Sequence, residues 1–387
     1  MMRRLLPLVS AVVVVDTMLY AALVPLLPHF EHRYGLGKGG VGALAAAYAI
    51  GTLVGGLPAG IYSARFGARR AVLGGLTLMT VAGIGFAFAD SFATLFAARL
   101  VQGFGSSLSW AGALAWLAMS TPRERRGTAM GTAMGAAVFG ALLGPVIGAI
   151  ASVAGVRWTF IGLAALGLVL VGWAVRLEPA PTESQPLRVL AVAVRDRGFF
   201  GGLWLMTIPA LLFGALNVLA PLALSRHGFG AVAIGAVWLS AAGLETVLNP
   251  LVGRLTDQRG FAFPVRLALI GSIATSLVLA ATETPWVLVP VLFLASASFG
   301  SFYAPSLTLL SHSAEKVGMA QGITFGLMNS SWALGNAVGP AAGGALAQAT
   351  RDAVPYLVGA AVCAVTLTRL RRLTRPRAAV AVDRLPG

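Results

Sequence analysis

The chain has 387 residues, of which 57% are hydrophobic and 11% charged, less than half the charged share of about 25% found in soluble domains. That composition nearly excludes a soluble protein, and the formal charge of +15 has to be read from where the charges lie rather than from their sum. The single cysteine, Cys363, rules out an intramolecular disulfide and makes thiolate metal chemistry implausible.

A bilayer core takes about 20 apolar residues, and stretches of that length recur between short polar breaks. Twelve are predicted, at 5–29, 40–62, 71–89, 92–119, 129–153, 156–176, 199–223, 231–255, 264–282, 286–311, 320–349 and 354–373. The first follows Met-Met-Arg-Arg as a signal peptide does, but its length, its Asp16 and the want of a small-residue cleavage site mark a retained helix. With the N-terminus inside, 22 of the 28 Lys and Arg residues fall on the inner side and five on the outer, and Arg99 lies within a helix. This positive-inside bias accounts for the net charge without nucleic acid and returns the C-terminus to the cytoplasm. An Arg-rich, Lys-poor chain with much Ala and Gly suggests a GC-rich bacterial genome, hence a bacterial inner membrane.

The longest polar break, 177–198, contains Pro179, Pro181, Glu183 and Pro186. It is expected to be a cytoplasmic linker between an N-terminal bundle, 1–176, and a C-terminal bundle, 199–373, with 374–387 as a cytoplasmic tail. The halves repeat. At an offset of 193, Pro28 maps onto Pro221, Gly35 onto Gly228, Gly37 onto Gly230, Gly42 onto Gly235, Gly60 onto Gly253 and Gly67 onto Gly260. Six helices per half give both repeats one orientation, related by an axis along the membrane normal. The expected fold is therefore all-α and integral to the membrane, with 12 transmembrane helices in two six-helix bundles facing a central cavity.

Several motifs punctuate this plan. GIYSARFGARR (60–70) and GRLTDQRG (253–260) combine glycines for tight turns with charges that can break and re-form between conformations: Gly60, Arg65, Gly67 and Arg69, then Gly253, Asp257 and Gly260. LFAARLVQGFGSS (95–107) places Arg99, Gln102 and Gly103 within a helix. A charge there costs at least about 2.5–3.5 kcal/mol, so Arg99 is expected to face a cavity or a partner. GALLGPVIGA (140–149) and GNAVGPAAGG (335–344) set a glycine four residues before Gly144-Pro145 and Gly339-Pro340, which favours close helix packing and a bend.

These motifs in this order, together with VDTMLYAALVPLLP (15–28), resemble the major facilitator superfamily, and within it the drug and proton antiporter branch that includes the vesicular amine transporters. The resemblance covers nearly the whole chain. It implies gating roles for the loop residues and the Gly-Pro pairs, and a part in proton movement for Arg99. Two positions depart from the family. Ala64 stands where the first loop carries an acidic residue, and Asn329 where amine-transporting relatives carry one in the eleventh helix. The second departure makes Asp16 and Glu245 the leading candidates for proton coupling.

Those two are the carboxylates placed deep in the membrane. Asp16 lies roughly 18 Å of helix beyond Arg4, with Tyr20 one turn further on the same face. Glu245 sits midway along 231–255, with Asn249 one turn on. Burial disfavours a carboxylate's charge and a nearby cation restores it, so a group that binds either a proton or a cation links two fluxes by competition. Tyr20, Trp110, Tyr303 and Trp332 are expected to line the cavity and offer cation–π contact, and Asn217, Asn329 and Asn336 to offer polar contact. Ser106 and Ser109 are expected only to satisfy the helix backbone. There is no HExxH and no GxxxxGK[ST] loop, so no metal, organic cofactor or ATP-driven pump is expected.

The expected function is secondary active transport by alternating access: proton-coupled export of lipophilic, cationic or amine-like small molecules. The protein is expected to work as a monomer whose partners are substrate, protons and lipid, and not as an enzyme. The alternatives are an exporter or symporter of a neutral or anionic metabolite such as a sugar or amino acid, and, remotely, an integral membrane lipid enzyme.

Overall fold

The computed structural model describes residues 2–122, 125–179, 196–282, 284–316 and 321–373. The greater part of the predicted linker, 180–195, and the tail 374–387 lie outside the described residues. The helices are α1 Met2–Ala21, α2 Leu27–Tyr34, α3 Lys38–Phe66, α4 Ala68–Ala87, α5 Phe92–Ser120, α6 Arg126–Ala154 and α7 Val156–Val175, then α8 Arg197–Arg226, α9 Ala231–Arg259, α10 Ala262–Ala281, α11 Pro285–Gly300, α12 Tyr303–Lys316, α13 Gln321–Ala349 and α14 Ala353–Leu373.

Two predicted segments are broken rather than continuous. The first ends as α1 at Ala21, passes through a 3-10 turn at Val24–Leu26 and resumes as α2. Pro25 cannot donate to the Ala21 carbonyl, nor Pro28 to that of Val24, so the hydrogen-bond ladder stops there. The tenth divides between Gly300 and Tyr303, where Pro305 cannot donate to the Ser301 carbonyl. Joined across these breaks, the described helices form twelve segments. Ten are long and apolar enough to cross a membrane, and the other two, α5 and α13, are 29 residues long and carry polar interior residues.

The repeat survives in the structure. α3 and α9 both have 29 residues with ends 193 positions apart, α4 and α10 both have 20, and α6 and α13 both have 29. Gly67 (φ +98°) and Gly260 (φ +74°) stand at matching turns in the left-handed region, which side chains adopt at a cost.

Small residues let the helices close on one another. A methyl on Gly144 would sit 2.3 Å from the Ala21 side chain, which seats α6 on α1, and one on Gly339 would sit 2.3 Å from the Leu211 carbonyl, which seats α13 on α8. The twin Gly-Pro motifs are thus sites of close backbone approach in both halves.

The two ends of the bundle differ. At the Lys38 end, α3 of the first half meets α13 of the second: a methyl on Gly42 would lie 2.2 Å from the Pro340 carbonyl, and the Gly39 N–H donates to Gln348 Oε1 at 2.7 Å. Lys38 pairs with Asp352, which also accepts from Arg226 Nη2 at 2.8 Å. At the opposite, Arg-rich end, added methyls on Gly60, Gly131, Gly135 and Gly253 meet nothing within 4 Å. The two halves meet at the Lys38 end.

Candidate functional site

Asp16 lies on α1 five residues before that helix stops, and its side chain is buried, with 3% of the residue exposed. Three donors from two helices converge on it. Tyr48 Oη of α3 donates to Oδ1 at 2.7 Å, while Ser106 Oγ and Trp110 Nε1 of α5 donate to Oδ2 at 3.0 and 2.5 Å. Hydrogen bonds to a charged group contribute about 1.5–3 kcal/mol each, against a cost of roughly 2.5–3.5 kcal/mol for holding a charge at mid-membrane. Three such bonds offset part of the cost of burying the carboxylate here.

Arg99, 1% exposed, stands behind this group. Its Nη1 donates to the Leu19 carbonyl at 3.0 Å and to Gln102 Oε1 at 3.1 Å, and its Nη2 to the Tyr20 carbonyl at 3.3 Å. These two carbonyls lie in the last turn of α1, whose acceptors are orphaned by the break ahead of Pro25. The guanidinium also lies 4.8 Å from the centre of the Tyr48 ring, the ring that holds Asp16. Arg99 therefore faces the interior, as expected of a charge within a membrane helix, and takes no snorkelling path outward.

Tyr20 does not reach Asp16, although one turn separates them. Its hydroxyl crosses to the second half and donates to Asn336 Oδ1 at 2.6 Å, and its ring lies 5.4 Å from that of Tyr48 and 5.0 Å from that of Trp332. Tyr303 stands at the start of α12 and is half-buried. Glu245 on α9 is half-buried, with one long hydrogen bond from Ser296 Oγ at 3.3 Å, and it packs against Gly300, where a methyl would lie 2.5 Å from its carboxyl.

The remaining candidates are dispersed. Asn217 accepts from Trp238 Nε1 at 2.8 Å, away from the Asp16 group. Asn329 is half-buried on α13, two turns before Asn336. Gln102 is fully buried and serves Arg99, and Gly103 lets α5 touch α3, since a methyl there would sit 1.8 Å from the Tyr48 carbonyl. In the loop motifs, Arg69 Nη2 donates to the Val175 carbonyl, Arg65 stacks on Phe66 at 5.7 Å, and exposed Asp257 makes no ion pair with a described residue.

Two partners of Asp16 escape a reading of the sequence. Tyr48 sits in the Ala- and Gly-rich run GALAAAYAIG, where a lone hydroxyl-bearing aromatic is the only signal. Ser106 was expected merely to satisfy its own backbone; instead it donates to Asp16, while Ser109 Oγ turns to Met79 Sδ at 3.7 Å.

Residues 9–325 match the Major Facilitator Superfamily. The chain is 24% identical over 339 residues to "Multidrug resistance protein 2" of Bacillus subtilis (strain 168), covering 84% of each protein. It is 33% identical over 124 residues to "Probable vesicular acetylcholine transporter-B" of Danio rerio, covering 30% of this chain and 25% of that one. Among solved structures it resembles a partially occluded inward open conformation of the xylose transporter XylE from E. coli, with a TM-score of 0.77, 14% identity and coverage of 97% and 98%, a likeness of fold. With the helical fold, these matches mean that the chain belongs to the Major Facilitator Superfamily and is a multi-pass membrane transporter rather than an enzyme.

Proposed function

We propose that this transporter is a proton-coupled antiporter that exports lipophilic or amine-like cations across a bacterial inner membrane, by rocking of the halves 1–176 and 199–373 about a central site. The observation that carries this reading is Asp16, a carboxylate buried inside the helical bundle and enclosed by Tyr48, Ser106 and Trp110. Its charge is supported by donors that can turn away, so the same group can take up a proton when they do. Similarity to a multidrug resistance protein supports the direction of transport. The placement of 22 of 28 basic residues on one side supports cytoplasmic termini.

The energetics suffice. A pH unit is worth about 1.4 kcal/mol per proton and 100 mV about 2.3 kcal/mol per charge, so one exchanged proton sustains considerable accumulation. Inside-out vesicles with an acidified lumen test the reading: adding lipophilic cations and amines one at a time is expected to release luminal protons for at least one of them. If none does so with a folded, well-expressed protein, while a neutral sugar or an anionic metabolite is carried, export of cations is refuted.

On this orientation the Lys38 end faces outward, with Asp352 as its clamp between halves. Burial alone raises the Asp352 carboxyl, but hydrogen bonds and charges from Lys38 and Arg226 outweigh it and hold the group below its usual 3.8. A carboxylate so lowered contributes while ionised and is lost only as pH falls through the lowered value. The clamp is therefore expected to stay formed in moderately acid surroundings, and Asp352→Asn to release it. Spin labels at His32 and Thr350, with Cys363 replaced by Ala, read the result: their separation should lengthen in Asp352→Asn and be the same at pH 7 and pH 5 in the unaltered clamp. An unchanged separation in Asp352→Asn contradicts the assignment.

A further inference from the structure

The internal repeat makes two related seams between the halves, α3 against α13 and α9 against α6. The first helices of each pair are 193 positions apart, Lys38–Phe66 and Ala231–Arg259, and the second are 195 apart, Gln321–Ala349 and Arg126–Ala154. Along their middles the seams match: a methyl on Gly42 would lie 2.2 Å from the Pro340 carbonyl, and one on Gly235 would lie 2.9 Å from the Pro145 carbonyl. Toward the Lys38 end they differ. α3 starts from Gly37 and α9 from Gly230, and neither glycine has a side chain to cap its helix. For α3 the cap comes from the other half. Gln348, in the last turn of α13, accepts through Oε1 from the Gly39 N–H at 2.7 Å, the donor that an N-cap side chain would otherwise satisfy. Gly37 and Gly39 leave room for this amide, since methyls there would sit 2.5 and 3.0 Å from Gln348 Oε1. Lys38, between the two glycines, adds the ion pair with Asp352.

The second seam has a different residue at each of these places. By the same offsets Val232 stands for Gly39, Ala231 for Lys38, Val153 for Gln348 and Arg157 for Asp352. Val153 and Val232 are 79% and 54% exposed, and neither side chain can accept or donate a hydrogen bond. Arg157 is engaged in its own half, 4.2 Å from the centre of the Phe88 ring. Separating the ends of α3 and α13 therefore breaks a cap and an ion pair, while separating those of α9 and α6 gives up no such bond and little apolar contact. We propose that the Lys38 end opens unequally: α9 and α6 part first, and Gln348, with Asp352, holds α3 to α13 as the hinge side. The pathway then opens at that end on the α6 and α9 side. This rests on the proposed rocking of the halves and is independent of what is carried.

Spin-label distances in the purified full-length protein, with Cys363 replaced by Ala, test the asymmetry. Labels at Val153 and Val232 read the second seam, and labels at His32 and Thr350 read the first. In the otherwise wild-type protein the Val153–Val232 distribution is expected to be the broader. Gln348→Val, which installs the residue of the second seam, should raise the separated population of the His32–Thr350 pair about fivefold, the factor that an N-cap of ordinary strength represents, and leave the other pair unchanged. Gln348→Glu keeps an acceptor and should stay at the wild-type distribution. Gln348 is exposed, so neither change disturbs the core. Equal widths at the two seams, or an unaltered His32–Thr350 pair in Gln348→Val, would overturn the proposal; if Asp352→Asn still lengthens that pair, the rocking of the halves stands and only the role of Gln348 falls. If no variant, Asp352→Asn included, separates either pair, the rocking itself is refuted and the proposal with it.

Discussion

Vesicles carrying Asp16→Asn are expected to lose cation-driven proton release down to the level of vesicles without the transporter, while still exchanging labelled substrate down its gradient. The reason is local. Tyr48, Ser106 and Trp110 all donate toward this side chain, and an amide offers one acceptor oxygen but sets its own N–H groups against a remaining donor. It also cannot exchange a proton. The mismatch is expected to cost about 1–3 kcal/mol of stability, the usual penalty for a buried polar group left without its partner. Tyr48→Phe, which removes the one donor to Oδ1 and keeps the ring under Arg99, should give a partial defect. Retention of full proton release by Asp16→Asn would place the coupling elsewhere.

Gly103→Ala is expected to be the most damaging small substitution. Its methyl would lie 1.8 Å from the Tyr48 carbonyl and 3.0 Å from the Thr52 nitrogen, both backbone atoms of α3, at a contact already closed by Thr52 Oγ1 donating to the Gly103 carbonyl at 3.1 Å. Backbone cannot turn aside as a side chain can, so α3 and α5 must separate. Overpacking of this kind costs about 1–3 kcal/mol and sometimes more. The separation would also draw Tyr48 away from Asp16, so stability and proton coupling should fall together. Gly74→Ala is the matched control, since a methyl there meets nothing within 4 Å and an alanine within a helix is favoured over glycine by about 0.5–1 kcal/mol. Thermal melting in detergent should therefore place Gly103→Ala below the wild type and Gly74→Ala at or above it; equal melting of the two variants would refute the packing account.

Much of the architecture is legible in the sequence because the bilayer demands it. An apolar run of membrane-spanning length between basic loops has few other meanings, and the glycine offsets found in the sequence reappear as helix ends 193 residues apart in α3 and α9. The breaks at Val24–Leu26 and at Ser301–Phe302 are less legible. Pro25, Pro28 and Pro305 are visible, but proline kinks some membrane helices and divides others, according to which neighbours re-satisfy the freed carbonyls. For α1 that neighbour is Arg99, eighty residues away.

The site divides in the same manner. Asp16 and Glu245 stand out as carboxylates in apolar runs, and burial of Asp16 follows from that alone. Which donors reach them does not, because Tyr48, Ser106 and Trp110 lie on helices whose facing sides are set by tertiary packing. Tyr20 illustrates the limit: spacing places it one turn from Asp16, yet its hydroxyl goes to Asn336 in the other half. Helical spacing specifies a face and leaves the partner open.

The most direct test of the central claim, that Asp16 exchanges a proton when cation is bound, is a count of protons released by purified transporter in weakly buffered solution as tetraphenylphosphonium is added. The account predicts release of about one proton per bound cation in the wild type, and binding without release in Asp16→Asn. Release undiminished in Asp16→Asn, or binding by the wild type with no release at any pH between 5 and 8, would contradict it.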